Sequence, residues 1–349
     1  MRTVKNLPES VTRKRWPDMN RIVALMIWPL LGLSLCGAPG CASSAPTRDR
    51  GAEAVSLLGR PLTPPALAPE TRELFERRLA GAQRRHDQSP EDEIAIIWLG
   101  RRTAYLGRYR EAIEIYSRGI ALHPESAWLY RHRGHRYLTL RQFDPAIADL
   151  RKAAELTRGR PDIIEADGLP NAQNQPRSSL NGNIWYHLGV ALYCKGDFQE
   201  AADAFGECLK YSTWNDDMLV ATTAWLHRTL RLLGRDEDAA ALLEPIHAEM
   251  DVIENDAYLR TLLFARGELS LERALTNAGD GVTKATLAYG VAAELRARGD
   301  NRSADEILRR IVNSEQWAAF GFIAAEADMA RLGIEPTPPT ASTTMRTTQ

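Results

Sequence analysis

The sequence predicts an all-α protein, a solenoid of stacked helical hairpins. Three observations lead there. Ala, Leu, Arg and Glu dominate the chain, and all favour helix. Alternating apolar–polar runs long enough for strands are absent. One spacing of Leu-Gly, alanine and aromatic positions recurs with a period of about 34 residues. A hairpin of that size cannot bury its apolar side alone, so one clear copy implies neighbours on either side.

The clearest copy is Trp185-Tyr186-His187-Leu188-Gly189, followed by Gly196-Asp197-Phe198, Ala201 and Phe205. An earlier copy opens at Ser89-Pro90-Glu91-Asp92, where Ser89 should cap a helix and Pro90 should take its first turn. Leu99-Gly100, Gly107, Tyr109, Ala112, Tyr116 and Pro124 continue it, with Thr103 where a tyrosine is usual. The next runs over 127–158 with Tyr130, Gly134, Tyr137, Phe143, Ala146, Leu150 and Ala153. There Arg133 replaces the usual leucine and Arg141 the turn glycine. A weaker copy has Leu226, Leu230, Gly234, Ala239 and Leu243; the last has Val291, Leu295, Gly299-Asp300, Ala304, Leu308 and Ile311. Between these two, 251–274 reads as helical but off-pattern, and 277–281 as a turn. A final helix over about 314–332 carries Trp317, Phe320, Gly321, Ala324 and Ala327 on one face and should pack on the last repeat. Amphipathic 72–86 should cap the opposite end. The total is about five to six hairpins with capping helices.

Small residues carry the physics of the pattern. Gly134 and Gly189 fall where two helices cross too closely for a side chain, and Ala112, Ala146 and Ala201 answer them on the second helix. Gly107, Gly196, Gly234 and Gly299 fall at turns that need the left-handed conformation.

The motif W-x2-L-G…A-x3-F resembles the tetratricopeptide repeat family over most of 89–332. The resemblance implies a right-handed superhelix that binds a protein or peptide, with no enzymatic activity and no cofactor. The layout is also similar to bacterial exported repeat proteins of unknown molecular role. Asp167-Gly168-Leu169-Pro170-Asn171, Asn183 to Gly189, and Trp317 to Glu326 carry that likeness. Family members that bind chaperone tails use a Lys/Asn/Arg clamp. The corresponding positions here are Ile97, Arg101, His132, Asn183 and His187, so that clamp is not reproduced.

The chain of 349 residues carries 44 basic and 45 acidic side chains, and no long basic run suggests a nucleic-acid track. Arg13, Lys14, Arg15 and Arg21 precede an apolar run over 22–35, too short to span a membrane but suited to a signal peptide over 1–41. Met19 would make a leader of ordinary length. Ala38-Pro39-Gly40-Cys41 resembles a bacterial lipobox, which would make Cys41 the lipidated first residue of a membrane-anchored protein facing the periplasm. Plain secretion with cleavage near Ala45 is the alternative. Residues 42–69 read as a flexible linker, 70–332 as the repeat domain, and 333–349 as a disordered tail. Cys194 and Cys208 would lie about 13 Å apart at opposite ends of one hairpin, too far for a disulfide.

The first helix of each repeat should line a concave groove. Its exposed positions would be Arg101, Trp128, Arg131, His135, Asn183, Tyr186 and Tyr193, suited to a peptide with acidic and apolar groups. An insert over about 159–181 breaks the period. Its Asp162, Glu165, Asp167 and Asn171 could shape or gate the groove, or form only a surface loop. His132, His135 and His187 raise a metal-dependent hydrolase as an alternative, but no Cys or carboxylate stands at matching spacing, so no metal site is expected. Self-association through the concave face is a third reading.

Overall fold

The computed structural model describes residues 51–276, 279 and 281–336. The signal peptide expected over 1–41, with Met19 and Cys41, and residues 337–349 of the expected tail lie outside the described residues. A two-stranded hairpin, β1 (Ala54–Val55) and β2 (Pro61–Leu62), comes first. Helices α1 (Pro69–Gln88), α2 (Glu93–Tyr105), α3 (Tyr109–Leu122), α4 (Ala127–Thr139) and α5 (Phe143–Thr157) follow. After the insert come α6 (Leu180–Lys195), α7 (Phe198–Leu209), α8 (Asp216–Leu232), α9 (Asp236–Ala241), α10 (Asp256–Ala265) and α11 (Leu271–Leu275). Helices α12 (Gly281–Ala297), α13 (Asn301–Val312) and α14 (Phe320–Leu332) complete the chain.

The fold is an all-α repeat stack in which α2/α3 through α12/α13 form six consecutive pairs. Each helix packs on the next as far as α9. The second helices α9 and α11 are short, and the first helices α8, α10 and α12 meet directly. The off-pattern segment 251–274 is this region, where a full second helix is missing.

Local chemistry sets the ends. Asp92 caps α2 by accepting the Ala95 amide at 2.6 Å, and Ser126 caps α4 by accepting Leu129 at 3.1 Å. The cap expected at Ser89 is therefore corrected. Ser89 ends α1, and the Asp92 carboxylate, the stronger acceptor, starts α2. Gly107, Gly196, Gly234 and Gly299 all adopt positive φ at interhelix turns. The close crossings are real. A Cβ on Gly100 would lie 2.3 Å from the Tyr116 ring, and one on Gly189 2.5 Å from Phe205. Cys194 and Cys208 are buried, free thiols, and burial pushes them up to about 12 and about 11.

Two departures from the repeat pattern explain themselves. Arg133, in place of leucine, forks onto Asp149 of its own hairpin at 2.7 and 2.8 Å. Arg141, in place of the turn glycine, adopts φ 62° and sends its guanidinium to Glu326 of α14 at 2.7 Å. Both side chains of that pair are 2% exposed, and Arg141 also stacks over Trp317 and Phe322.

That ion pair marks a closure that the repeat pattern does not contain. Helix α14 does more than cover the last repeat; it returns to the middle of the stack. Arg331 donates to the Cys194 carbonyl at 2.8 Å, and Phe320 packs on His135, His187 and Tyr186. Much of 42–69, read as flexible linker, is ordered instead. Gly59 at φ 78° and the Ser56 hydroxyl, which accepts the Leu58 and Arg60 amides, close the β-hairpin. Arg60 donates to the Val312 carbonyl at 2.9 Å, Trp317 donates to Thr63, and Glu53 accepts the Arg110 amide. The strand pair thus ties the front of the stack to α13 and α14. Residues 333–336, read as the start of the tail, are packed instead: Ile334 is buried and its amide donates to the Met329 carbonyl. These residues extend the α14 end.

Two glycines separate packing from propensity. A Cβ on Gly321 would lie 2.4 Å from the Ala285 carbonyl oxygen, whereas one on Gly206 meets nothing within 4 Å. Gly321→Ala should cost about 1–3 kcal/mol of urea-unfolding stability. Gly206→Ala, inside α7, should raise it by up to about 1 kcal/mol. Equal effects would contradict the close α12–α14 approach.

Candidate functional site

The inner positions read from the spacing do not form one open groove. Tyr186 and Tyr193 are buried, at 8% and 1% exposure, and Asn183 is buried as well. Tyr186 shares hydrogen bonds with Tyr258 and Trp225, and Tyr193 accepts from Tyr289, whose hydroxyl also bonds Asp328 of α14. These tyrosines are core, not groove, because the inner sides of α6, α8, α12 and α14 close on each other. Burial raises the hydroxyls of Tyr186, Tyr193 and Tyr289 above the usual phenol range, so these three act as neutral hydrogen-bonding groups.

At the front half, α2 and α4 keep a polar inner side. Arg101 and Trp128 stay partly exposed, while Arg131 is buried. Trp128 packs between the main core and a small cluster of Ala127, Ala153, Leu180 and Ile184. The insert lies across this side. Its base closes through an Ile164–Ser179 bridge, with the Glu165 amide bonding Ser178 and the Leu180 amide bonding Ile163. Arg101 donates to the Ala166 carbonyl at 2.9 Å and Arg102 to that of Gly168 at 2.8 Å.

The insert's acidic residues separate into distinct roles. Asp162 holds the start of α6 by accepting the Asn181 amide at 2.9 Å. Asn171 closes its own turn with Gln173 and Gln175. Asp167 has one buried carboxylate oxygen with no hydrogen-bond partner. Glu165 alone is fully buried. It accepts from Asn183 Nδ2 at 2.8 Å, lies 3.2 Å from Arg131, and stands 3.7 Å from both Arg101 and His132 Nε2. The far end of the insert is tied down by Arg177, which pairs at 2.7 Å with the buried Asp217. Asp217 in turn accepts the amides of Ile253, Glu254 and Asn255. Sequence reading missed this anchor. Its one signal was a carboxylate pair, Asp216-Asp217, opening a helix next to an insert that carries arginine.

The three histidines do not gather around one point. His132 accepts from Arg131 Nη1 at Nδ1 and stacks on Tyr116; His135 packs on His187 at 4.2 Å between ring centres; His187 Nδ1 donates to the Asn183 carbonyl. Among the described residues no group of three His, Cys, Asp or Glu side chains is placed to hold a metal ion. Burial first, then the nearby Arg131, Arg136 and Arg101, holds these imidazoles well below the usual range, so they are neutral.

The tetratricopeptide repeat family matches residues 182–212, the α6–α7 pair. This hairpin is therefore similar to a tetratricopeptide repeat. Human Tetratricopeptide repeat protein 13 is 31% identical over 105 residues, which is 30% of this chain and 10% of the human protein. The chain thus spans about a tenth of the length of that curated relative. Among solved structures, YrrB, titled a TPR protein with an unusual peptide-binding site, is 14% identical at TM-score 0.39, over 71% of this chain and 97% of YrrB. BtubC from P. vanneervenii is 14% identical at TM-score 0.41, over 80% of this chain and 98% of its own. At these values neither carries a functional inference.

The neutral histidines give a pH signature. Their folded pKa values lie below the unfolded value, so the unfolded chain binds more protons as pH falls below about 6.5. Their contribution is complete above that pH and is lost on acidification, by up to about 1.4 kcal/mol per pH unit for each histidine. Urea unfolding at pH 7 and pH 5 should show this slope, and His132→Gln or His187→Gln should each flatten it. An unchanged slope in both variants would contradict the buried, neutral assignment.

Proposed function

We propose that this chain is an exported, non-enzymatic scaffold that holds a partner protein against the inner side of α2 and α4. The observation that carries this reading is the contrast between the two halves of the stack. From α6 onward the inner side is solid core. At α2 and α4 it is charged, it keeps Arg101 and Trp128 partly exposed, and only a loop covers it. Arginine beside tryptophan is a common pairing at the energetic centre of protein interfaces. The partner is a protein or peptide; neither a cofactor nor nucleic acid enters this reading.

The N-terminal sequence supports a bacterial envelope location, with Cys41 as a lipid anchor and the repeat body facing the periplasm. The β-hairpin would then hold the start of the body about ten residues beyond the anchor, close to the membrane surface.

Affinity capture from envelope extract, followed by mass spectrometry, tests the scaffold. The unmodified chain should retain a partner, and Trp128→Ala with Arg101→Ala should lose at least about 90% of it, as expected for a hot-spot pair worth about 1.4 kcal/mol or more. Retention by the double variant would contradict the surface assignment. Intact-mass measurement of the mature N-terminus should find Cys41 first and carrying acyl mass. A start near Ala45 without lipid would replace anchoring by plain secretion.

A further inference from the structure

Glu165 is surrounded as a ligand would be. Asn183, Arg131, Arg101 and His132 come from three different helices and converge on its carboxylate, and the Glu165 side chain is 4% exposed. The site is underfilled. Two fixed positive charges, Arg101 and Arg131, face this one buried carboxylate, and Arg136 adds a third charge acting on the same histidines. Arg131 Nε and His132 Nε2 are buried donors with no hydrogen-bond partner. His132 accepts from Arg131 at Nδ1, so its single proton is on Nε2, the nitrogen turned to Glu165.

What holds the insert on this side is polar. Ile163, Ile164 and Leu169, its large apolar residues, are 54%, 58% and 50% exposed, so hydrophobic burial contributes little to keeping it there. The grip consists of the Glu165 contacts, two arginine-to-carbonyl bonds, the short bridge at the base and the Arg177–Asp217 pair at the far end. A second carboxylate offered from outside would find the same donors. It would replace the Glu165 contacts one for one.

We propose that Glu165 is a built-in occupant of an acidic-side-chain site, and that an Asp- or Glu-rich segment of a partner protein binds Arg101, Arg131, His132 and Asn183 when the insert lifts. This rests on the scaffold reading above and names the chemistry of its partner. The insert sets the affinity: the smaller the fraction of lifted chains, the weaker the apparent binding, in direct proportion.

The test is fluorescence anisotropy with the full chain and a short labelled Glu/Ala peptide, amidated at its C-terminus, with Gln/Ala and Lys/Ala peptides as controls. Glu165→Gln removes the competing charge but keeps the shape. It should tighten binding of the Glu/Ala peptide by about tenfold or more. Adding Arg101→Gln should abolish the gain, and the control peptides should show none. A folded Glu165→Gln chain with unchanged affinity would overturn the proposal and leave Glu165 as a structural pin. Should that variant fail to fold, hydrogen exchange on the unmodified chain decides. An excess of the Glu/Ala peptide should speed exchange of the Glu165 and Leu180 amides, while the Lys/Ala peptide should not; no acceleration overturns it. A partner captured equally by the unmodified chain and Glu165→Gln, and lost with Trp128→Ala and Arg101→Ala, would sink this inference alone and leave the scaffold standing.

Discussion

Every helical hairpin in this chain has an apolar side that something must cover, and that single constraint organises the molecule. Along the stack the next hairpin does it, while within single hairpins Gly100, Gly134 and Gly189 lie against Tyr116, Leu150 and Phe205 and let the two helices approach closely. On the inner side no repeat can do it. There the chain uses its own ends. Helix α14 folds back over α6 and the α4–α5 turn, and the β-hairpin ties α3 to the α13–α14 junction. A stack that could have stayed open along its inner side is therefore sealed over its second half.

The seal has a defined chemical centre. Arg141 takes a left-handed backbone conformation that disfavours any side chain with a Cβ, at a turn where the other repeats use glycine. Its guanidinium reaches Glu326 across the molecule and lies over Trp317 and Phe322. Burial pushes the Glu326 carboxyl up while Arg141 opposes that shift, the balance expected of a desolvated ion pair. Such a pair fixes geometry more than it adds stability, which suits a contact between segments 185 residues apart. The front half stays unsealed because the insert, not α14, lies across it, and the insert is held by charge. Closure at one end and a polar cover at the other leave one part of the inner side open to exchange.

Much of the stack was legible in the sequence because its signals are local. Leu-Gly, Ala and aromatic residues at one spacing specify a hairpin, and the turn glycines specify its ends. Even the departures at Arg133 and Arg141 were visible as departures. The closure was not legible, because it depends on contacts between segments far apart in the chain. One signal was present. Helix α6 carries a single charged residue, Lys195, and α14 is apolar nearly all round. A helix without a polar side must be covered on every side, which argues against an open groove along it. Repeat position alone points Tyr186 and Tyr193 into a groove, whereas the apolar composition of α6 points them into the core, where they lie. Glu165 was singled out only as one of several acids, since nothing in the insert distinguishes the carboxylate that turns inward from those that close turns.

The closed inner side depends most on α14 docking against the α4–α5 turn, and a double-mutant cycle on Arg141→Ala and Glu326→Ala measures that directly. Arg141→Ala alone should cost about 3–5 kcal/mol by urea unfolding, because it leaves a buried carboxylate unpaired. The two changes together should cost clearly less than their sum, with a coupling of about 1–3 kcal/mol. Additive losses, within about 0.5 kcal/mol, would mean that the two side chains do not meet and that the inner side is open.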